Sequence, residues 1–280
     1  MSTSEPEGYV LVGISQTDTV ERLLPTAIDI ARDRSCGIML RHVVRVPPQL
    51  PLTSGDEVID EEDEEILELA TAHVEEASIP VDASIRYARS VANGIVSVAE
   101  ERDVDLILMG WHGRPPRRDI ILGSYLDEVL RKTPCDVLVK RLTSSRPEKI
   151  SSVLVAVAPG GHNELAVDLG GSIARCHDAD MTLAHVVDPE TAKTTHDEVT
   201  TLLDTAGARL DAVEVSTQVF EHEDIAEALI DATAEFDVTL LGATEQSVIR
   251  RKLVGTVAAS VGRDGHGEIM IAQRKSPAEE

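Results

Sequence analysis

The sequence has few aromatic residues, few lysines and few cysteines, and it has no long apolar run. Aromatic side chains make up 2% of its 280 residues, so we expect cores built from valine, leucine, isoleucine and alanine. No apolar run approaches the roughly 18 residues of a membrane-spanning helix, which predicts a protein without membrane insertion. Residues 1–8 are polar and acidic, unlike a secretory signal peptide, so a cytoplasmic protein is expected. Cys36, Cys135 and Cys176 fit no metal-ligand spacing and are interpreted as reduced thiols, mostly buried.

Positive charge is also scarce. The chain has 26 Lys and Arg residues against 50 Asp and Glu residues, for a net charge of −24. Such a surface repels nucleic acid and anionic lipid, so no nucleic-acid partner is expected. One interpretation is a halophilic protein in a salt-rich cytoplasm, where salt screens the repulsion between carboxylates. The other is an acidic interaction surface. The even spread of the acidic residues favours the first.

The two halves of the chain repeat one unit. The sequence Ile-Ala-Arg at 30–32 recurs at 173–175, and the segment 105–110 aligns with 237–242. Similarity in register near both ends of a unit indicates a tandem duplication. The predicted boundaries are a disordered N-terminal tail at 1–8, a first domain at 9–142, a linker at 143–149, a second domain at 150–274 and a C-terminal tail at 275–280.

Hydrophobic periodicity alternates between strand and helix in both halves. The first half is predicted to have strands near 9–14, 37–44, 81–86, 105–109 and 136–140, and helices near 18–34, 57–77, 92–102 and 123–132. In the second half, strands are predicted near 152–157, 180–187, 213–219, 237–241 and 268–272. This alternation predicts parallel sheets with helices on both faces. Ligands of such sheets bind beyond the carboxyl ends of the strands, where the strand order reverses.

A glycine motif follows the fourth predicted strand. Gly110, Gly113, Gly123 and Ser124 form Gly-x2-Gly-x9-Gly-Ser after the apolar run at 106–109. A glycine-rich loop that leads into a helix N-terminus favours anions, because free N–H groups and the helix dipole both attract phosphate. The motif therefore predicts a phosphate or nucleotide site in the first half.

With this motif, His-Val-Val at 42–44 and Pro-Cys-Asp-Val-Leu-Val at 134–139, the chain resembles the universal stress protein (UspA-like) family in its tandem form. The resemblance implies two tandem Rossmann-like, adenine-nucleotide alpha-hydrolase-like domains. Each would have a five-stranded parallel sheet of order 3-2-1-4-5 with helices on both faces. It also implies an internal pseudo-dimer paired through the fifth strands, 137–140 against 269–272. A further homodimer is left open.

The resemblance further implies that domain 1 binds ATP or another adenine nucleotide, with or without Mg²⁺. Backbone N–H groups of the loop would hold the phosphates, and adenine would lie near the ends of the first two strands. The residues implied for this site are Ser15, Val43, Met109, Gly110, Gly113, Arg114, Gly123, Ser124 and Tyr125. No catalytic or metal-ligating residue is predicted.

Departures from the family pattern concern both repeats. Ser15 stands where nucleotide-binding members usually have aspartate, and a lost carboxylate contact costs about 1–3 kcal/mol. In the second repeat, Ala158 takes the place of Ser15, and Glu245 takes the place of Gly113. Because Glu245 adds bulk and negative charge where phosphate would approach, domain 2 is predicted to bind no nucleotide and to act as a structural partner.

Other features allow two interpretations each. Trp111 either packs over the loop or stacks on a base or an apolar partner, and packing is favoured. The arginines at 114, 117 and 118 form either a lid over polyphosphate or an ordinary surface cluster. His42 and His185 recur at matching strand ends and are interpreted as structural. The acidic run at 56–65 is interpreted as the start of a helix, favoured by its dipole, rather than as a cation or partner site.

Three classes of function follow. The first is a stress-response or energy-state regulator that responds to a nucleotide and acts on a protein partner. The second is a nucleotide-independent interaction module that regulates a membrane transporter or another cytosolic partner. Residues 44–48 and the acidic segment after them resemble stress-protein domains attached to amino-acid transporters. The third, and least favoured, is a slow ATP hydrolase or a nucleotide-dependent transferase.

Overall fold

The computed structural model describes residues 6, 8–112, 124–142, 147–190, 196–243 and 255–275. The elements of the first repeat are β1 (Tyr9–Ile14), α1 (Thr17–Arg34), β2 (Gly37–Arg45), a 3-10 helix (Leu52–Glu57), α2 (Glu61–Glu76), β3 (Val81–Ala88), α3 (Val91–Glu101), β4 (Val104–Trp111), α4 (Ser124–Lys132) and β5 (Asp136–Arg141). Those of the second repeat are β6 (Ser152–Ala156), α5 (Gly161–His177), β7 (Asp180–Val187), α6 (His196–Gly207), β8 (Val215–Glu221), α7 (Ile225–Ala232), a 3-10 helix (Thr233–Glu235), β9 (Val238–Gly242), α8 (Thr256–Asp264) and β10 (Glu268–Gln273).

These residues form two compact units, and the division between them does not follow the predicted linker. Among the described residues, unit 1 holds those up to Gly110, those at 124–138 and Lys275. Unit 2 holds Trp111, His112 and the described residues from 139 to 274. In unit 1 the strand order is β3-β2-β1-β4-β5, with β5 represented by its first half. In unit 2 the order is β10-β9-β6-β7-β8, preceded by the second half of β5. Both repeats thus have the predicted order 3-2-1-4-5. The domain boundaries at 143–149 stay a prediction.

The central strand of each repeat has parallel neighbours on both sides. In β1, Val12 lies opposite Leu40 of β2 and Leu108 of β4. In β6, Val155 lies opposite Leu183 of β7 and Leu240 of β9. The interior of these strands is almost entirely buried, as expected where helices cover both faces of a parallel sheet. The carboxyl ends of the first and fourth strands of each repeat therefore meet where the strand order reverses.

Several predicted element boundaries differ from the structure by two residues or more, among them the start of the second helix and the end of the fourth strand. The second helix begins at Glu61 rather than near residue 57, because Asp60 and Asp63 form a capping box in which each carboxylate accepts the other residue's backbone N–H. The part of the acidic run from Asp60 onward therefore starts this helix, as predicted, whereas Asp56 and Glu57 belong to the preceding 3-10 helix. The fourth strand continues to Trp111 rather than ending at Met109, and the Trp111 carbonyl accepts the backbone N–H of Leu142 at 2.7 Å.

The cysteines are joined by no disulfide, and Cys36 and Cys135 are buried. Burial raises the pKa of the Cys36 thiol and raises that of Cys135 to about 11. Both thiols therefore stay protonated at neutral pH, where the thiolate is the reactive form. In the described part of the chain, no helix has the length and hydropathy to cross a bilayer.

Gly267 precedes β10 with a φ of +61°, in the left-handed region. A Cβ at this position would lie 2.8 Å from the carbonyl oxygen of Phe236 and 2.9 Å from that of Asp237. We expect Gly267→Ala to lower the free energy of unfolding by about 1–3 kcal/mol in urea titrations, because backbone strain and a backbone clash coincide. Gly207→Ala is the control, since a Cβ there would have no neighbour nearer than 3.8 Å. Equal effects of the two substitutions would contradict the assignment of strain to Gly267.

Candidate functional site

Several of the predicted site residues lie at the carboxyl ends of the strands in the first sheet. Ser15 directly follows β1 and is exposed, whereas Val43 lies near the end of β2 and is half-buried. Gly110 lies at the end of β4, next to its last residue. Since β1 pairs in parallel with β2 and β4, these residues lie at one edge of the sheet. Met109 is 3% exposed and therefore belongs to the core beneath this edge.

The start of α4 is fixed to the end of β4 by one hydrogen bond. The Tyr125 hydroxyl donates to the carbonyl oxygen of Gly110 at 2.9 Å. Burial raises the pKa of Tyr125 to about 12, so the hydroxyl keeps its proton at neutral pH. The backbone of Ser124 begins this helix, as predicted. The first turn of α4 therefore lies at the sheet edge where phosphate binding was predicted.

The middle of the glycine motif lies outside the described residues. This holds for Gly113 and Gly123, for the arginines at 114, 117 and 118, and for Glu245 of the second repeat. The roles of these residues stay predictions. Only Gly110, at one end of the motif, and the backbone of Ser124, at the other, are described.

Two matching histidines fix strand ends in the two repeats. His42 Nδ1 lies 3.1 Å from the carbonyl oxygen of Ile14, and His185 Nδ1 lies 2.7 Å from that of Val157. A carbonyl oxygen only accepts hydrogen bonds, so Nδ1 carries the proton in both. In the first repeat, His42 Nε2 also lies 2.6 Å from Asp63 Oδ1. The structural interpretation of both histidines is confirmed. Sequence reasoning missed the partner Asp63, which was one of several acids in a charged run.

Trp111 packs within unit 2, as favoured from the sequence. Its side chain is 4% exposed. A Cβ on Gly262 of α8 would lie 2.7 Å from Cζ3 of the indole, so the absence of a side chain at Gly262 makes room for the ring. The indole is therefore part of a core and is not placed to stack on a nucleotide base.

The second repeat contains a cavity that sequence reasoning missed. It has a volume of about 340 Å³ and lies at the carboxyl ends of β6, β7 and β9. Its described lining consists of Ala156, Val157, Ala158, Pro159, Gly160, His162, Asn163, Ala184, His185, Val186, Ile225, Leu229, Leu241, Gly242, Ala243, Val257 and Ala258. Ala158 and Gly242 correspond to Ser15 and Gly110 of the first repeat. The available sequence signal was small side chains at matching positions, such as Ala184 where the first repeat has Arg41.

The fold and this sheet edge define an α/β protein of the Rossmann-like class. The sequence model of the universal stress protein family matches residues 9–141. Universal stress protein MJ0531 of Methanocaldococcus jannaschii is 31% identical over 119 residues, which cover 40% of this chain and 69% of that protein. The chain belongs to the universal stress protein family.

Two further similarities span both repeats. The Na(+)/H(+) antiporter NhaS5 of Synechocystis sp. is 27% identical over 258 residues, or 89% of this chain. The chain spans only 35% of the length of that antiporter. The crystal structure of a universal stress protein from Archaeoglobus fulgidus superposes with a TM-score of 0.70 at 16% identity, covering 96% of this chain and 97% of the other. That structure has the same fold over nearly the whole chain.

Proposed function

We propose that the first repeat binds ATP or another adenine nucleotide and that the protein is a cytoplasmic stress-response or energy-state regulator. The observation that carries the proposal is the bond between Tyr125 and Gly110, which holds the start of α4 at the carboxyl edge of β4. A helix N-terminus at the point where strand order reverses combines free N–H groups, a favourable dipole and access for a ligand.

The described residues fit a nucleotide at this edge. The aliphatic side chain of Val43 offers a surface for adenine, and its position is fixed by close packing on α3, where a Cβ on Gly94 would lie 2.6 Å from Val43 Cγ1. The exposed hydroxyl of Ser15 offers a hydrogen bond to the base or the ribose. The backbone N–H groups at the start of α4, together with those of the glycine loop, would hold the phosphates, and Mg²⁺ would accompany them.

The second repeat, in this proposal, binds no nucleotide. Ala158 has no polar group where Ser15 has a hydroxyl, and Glu245 carries a negative charge where phosphate would approach. This repeat would instead be the structural partner of the first. Binding in only one of the two repeats would make the response to nucleotide concentration simple and non-cooperative.

The test is thermal unfolding in concentrated potassium chloride with and without Mg-ATP, ADP or AMP. A nucleotide at one hundred times its Kd adds about 2.7 kcal/mol of stability. For a protein of this size the midpoint should then rise by about 5–11 °C if the repeats melt together. Gly113→Glu, which copies Glu245, should abolish the rise, whereas the control Gly207→Ala should keep it. An undiminished rise in Gly113→Glu would refute the site.

A second candidate function is regulation of a membrane transporter without a nucleotide. It is favoured by the similarity to the antiporter NhaS5, which covers both repeats. A tagged chain should then retain one particular transporter from detergent-solubilised membranes of its source cells, equally well with and without Mg-ATP. Release of the bound partner by Mg-ATP would favour the nucleotide-dependent regulator instead.

A further inference from the structure

Strand β8 pairs in parallel with β7, and its other edge has no neighbouring strand in the described part of the chain. The carbonyl oxygen of Glu214 accepts the N–H of Met181 at 2.9 Å, and the N–H of His222 donates to a carbonyl oxygen of β7 at 3.0 Å. Only every second residue of a strand bonds to a given parallel neighbour. The even-numbered residues of β8 therefore bond to β7. The backbone groups that point away from β7 form the β8 edge and belong to Val215, Thr217, Val219 and Glu221.

The sequence of this strand favours pairing with a further strand. Residues 215–220 carry no charge and include no proline or glycine, although charged residues make up 27% of the chain. Val215, Thr217 and Val219 are β-branched, which favours extended structure. Val219 is also 38% exposed, an apolar side chain beside the unpaired backbone groups. Soluble proteins usually protect such an edge with charged side chains, proline or a covering segment.

The equivalent outer strand of the first repeat, β3, has two of these protections. Arg86 places a charge in the strand and forms an ion pair with a residue of α3. The 3-10 helix before α2 packs on the same strand, and the Tyr87 hydroxyl donates to Asp56 Oδ1 at 2.8 Å. This helix lies within the connection formed by residues 46–60, whereas the corresponding connection of the second repeat is the shorter segment 188–195. The β8 edge thus lacks the charges that protect β3.

Acidic side chains at both ends of the strand select the partner of this edge. Asp211 and Glu214 precede β8, Glu221 ends it and Glu223 follows it, and all four residues are exposed. In a symmetric pair of two β8 strands, which would run antiparallel, an acidic end of each strand would lie beside an acidic end of the other. Like charges disfavour that pair, whereas Lys or Arg at both ends of an incoming strand would be attracted. The charges therefore favour a basic partner over a second copy of this chain.

We propose that the β8 edge binds an extended segment of a partner protein, with an uncharged, β-branched middle and Lys or Arg at both ends. The segment adds a strand to the sheet. Main-chain hydrogen bonds to Thr217 and Val219 supply affinity, and the charged ends supply selectivity. This surface belongs to the second repeat and does not depend on a nucleotide in the first.

Two blocked peptides test the selectivity of this surface as a matched pair. The first is Arg-Val-Thr-Val-Thr-Val-Arg, and the second has glutamate in place of both arginines. Calorimetric titrations at the lowest salt concentration that keeps the chain folded should show the arginine peptide binding at least about fivefold more tightly. Equal affinities would overturn the selection by charge. Failure of the arginine peptide to bind at millimolar concentration would overturn the proposal.

Amide hydrogen exchange followed by NMR tests the location. In the free chain, the N–H groups of Thr217 and Val219 should exchange faster than those of Ser216 and Gln218, which are bonded to β7. The arginine peptide at ten times its Kd should slow exchange at Thr217 and Val219 about tenfold. Unchanged exchange at both residues in the presence of bound peptide would overturn the location.

Thr217→Pro tests the role of the backbone. Proline is tolerated on an outer strand where the N–H points to solvent, so the bonds to β7 are kept while one N–H of the β8 edge is removed. The variant should bind the arginine peptide about tenfold more weakly. Thr217→Val keeps the N–H and is the control, which should bind like the natural chain. Thr217→Lys, which places a charge in the middle of the edge, serves if the proline variant does not fold, and undiminished binding in the folded variant would overturn the proposal.

A second copy of the chain is the alternative occupant, and sedimentation analysis distinguishes it from a basic partner. The natural chain and Thr217→Pro should sediment with the same mass, because the β8 edge does not pair with itself. A natural chain that dimerises while Thr217→Pro stays monomeric would show that a second copy covers this edge. The proposal of a basic partner would then be wrong.

Discussion

Replacement of Lys140 by methionine is expected to lower the free energy of unfolding by about 3–5 kcal/mol. Lys140 Nζ lies 2.7 Å from Glu268 Oε1 within unit 2, and each side chain is 1% exposed. Methionine has nearly the shape of lysine without its charge, so the loss would arise mainly from a carboxylate that stays buried after its cation is removed. Urea unfolding followed by circular dichroism measures the change.

The double variant Lys140→Met/Glu268→Gln separates charge from packing. It should recover most of the lost stability, because the buried charge is removed together with its partner. Lys132→Met is the matched control, since its ion pair with Glu128 is exposed and joins residues four apart on α4. That control should cost less than about 1 kcal/mol. A double variant as unstable as Lys140→Met would refute the electrostatic explanation.

Truncation of Trp111 to alanine is expected to lower the free energy of unfolding by a similar amount, about 3–5 kcal/mol. The indole is almost fully buried and lies against Gly262 of unit 2. Its removal would leave a cavity that backbone shifts close only partly. The variant should unfold at a lower urea concentration with an unchanged slope, which circular dichroism can follow without tryptophan fluorescence.

Trp111→Phe tests the same contact more finely. Phenylalanine keeps an aromatic ring next to Gly262 and removes the indole Nε1–H, which has no acceptor among the described residues. Because a buried donor without a partner is unfavourable, its removal offsets part of the lost packing. Trp111→Phe should therefore be clearly more stable than Trp111→Ala. A loss as large as that of alanine would contradict the packing explanation.

The fold could be predicted from the sequence because its strongest signals are local. Strands such as β1 and β4 are buried on both faces, so each is recognisable in the sequence as a continuous apolar run. The matching run in the other repeat independently supports each strand assignment. The first residue of α2 was harder to predict from the sequence. Asp60 caps it within a run of acids, any of which could have served, and only the paired hydrogen bonds with Asp63 single it out.

The candidate site could be predicted only in part. The positions of Ser15, Val43 and Gly110 followed from strand ends, since all strands of a parallel sheet end at the same edge. The cavity of the second repeat depends instead on how side chains from distant segments fail to fill a common space. Single substitutions such as Ala184 for Arg41 carry no periodic signal. The choice of Asp63 as the partner of His42 is likewise set by tertiary packing rather than by spacing.

The division of the chain inside β5 has a consequence for inheritance. Residues 139–142 are encoded with the first repeat, yet they pack in unit 2, where the Arg141 guanidinium donates to the carbonyl oxygens of Gly262, Gly265 and Gly267. A recombination event at the linker would leave these three acceptors and Glu268 without their cations. We therefore expect either half to be less stable on its own than in the full chain, which would favour inheritance of the two repeats together.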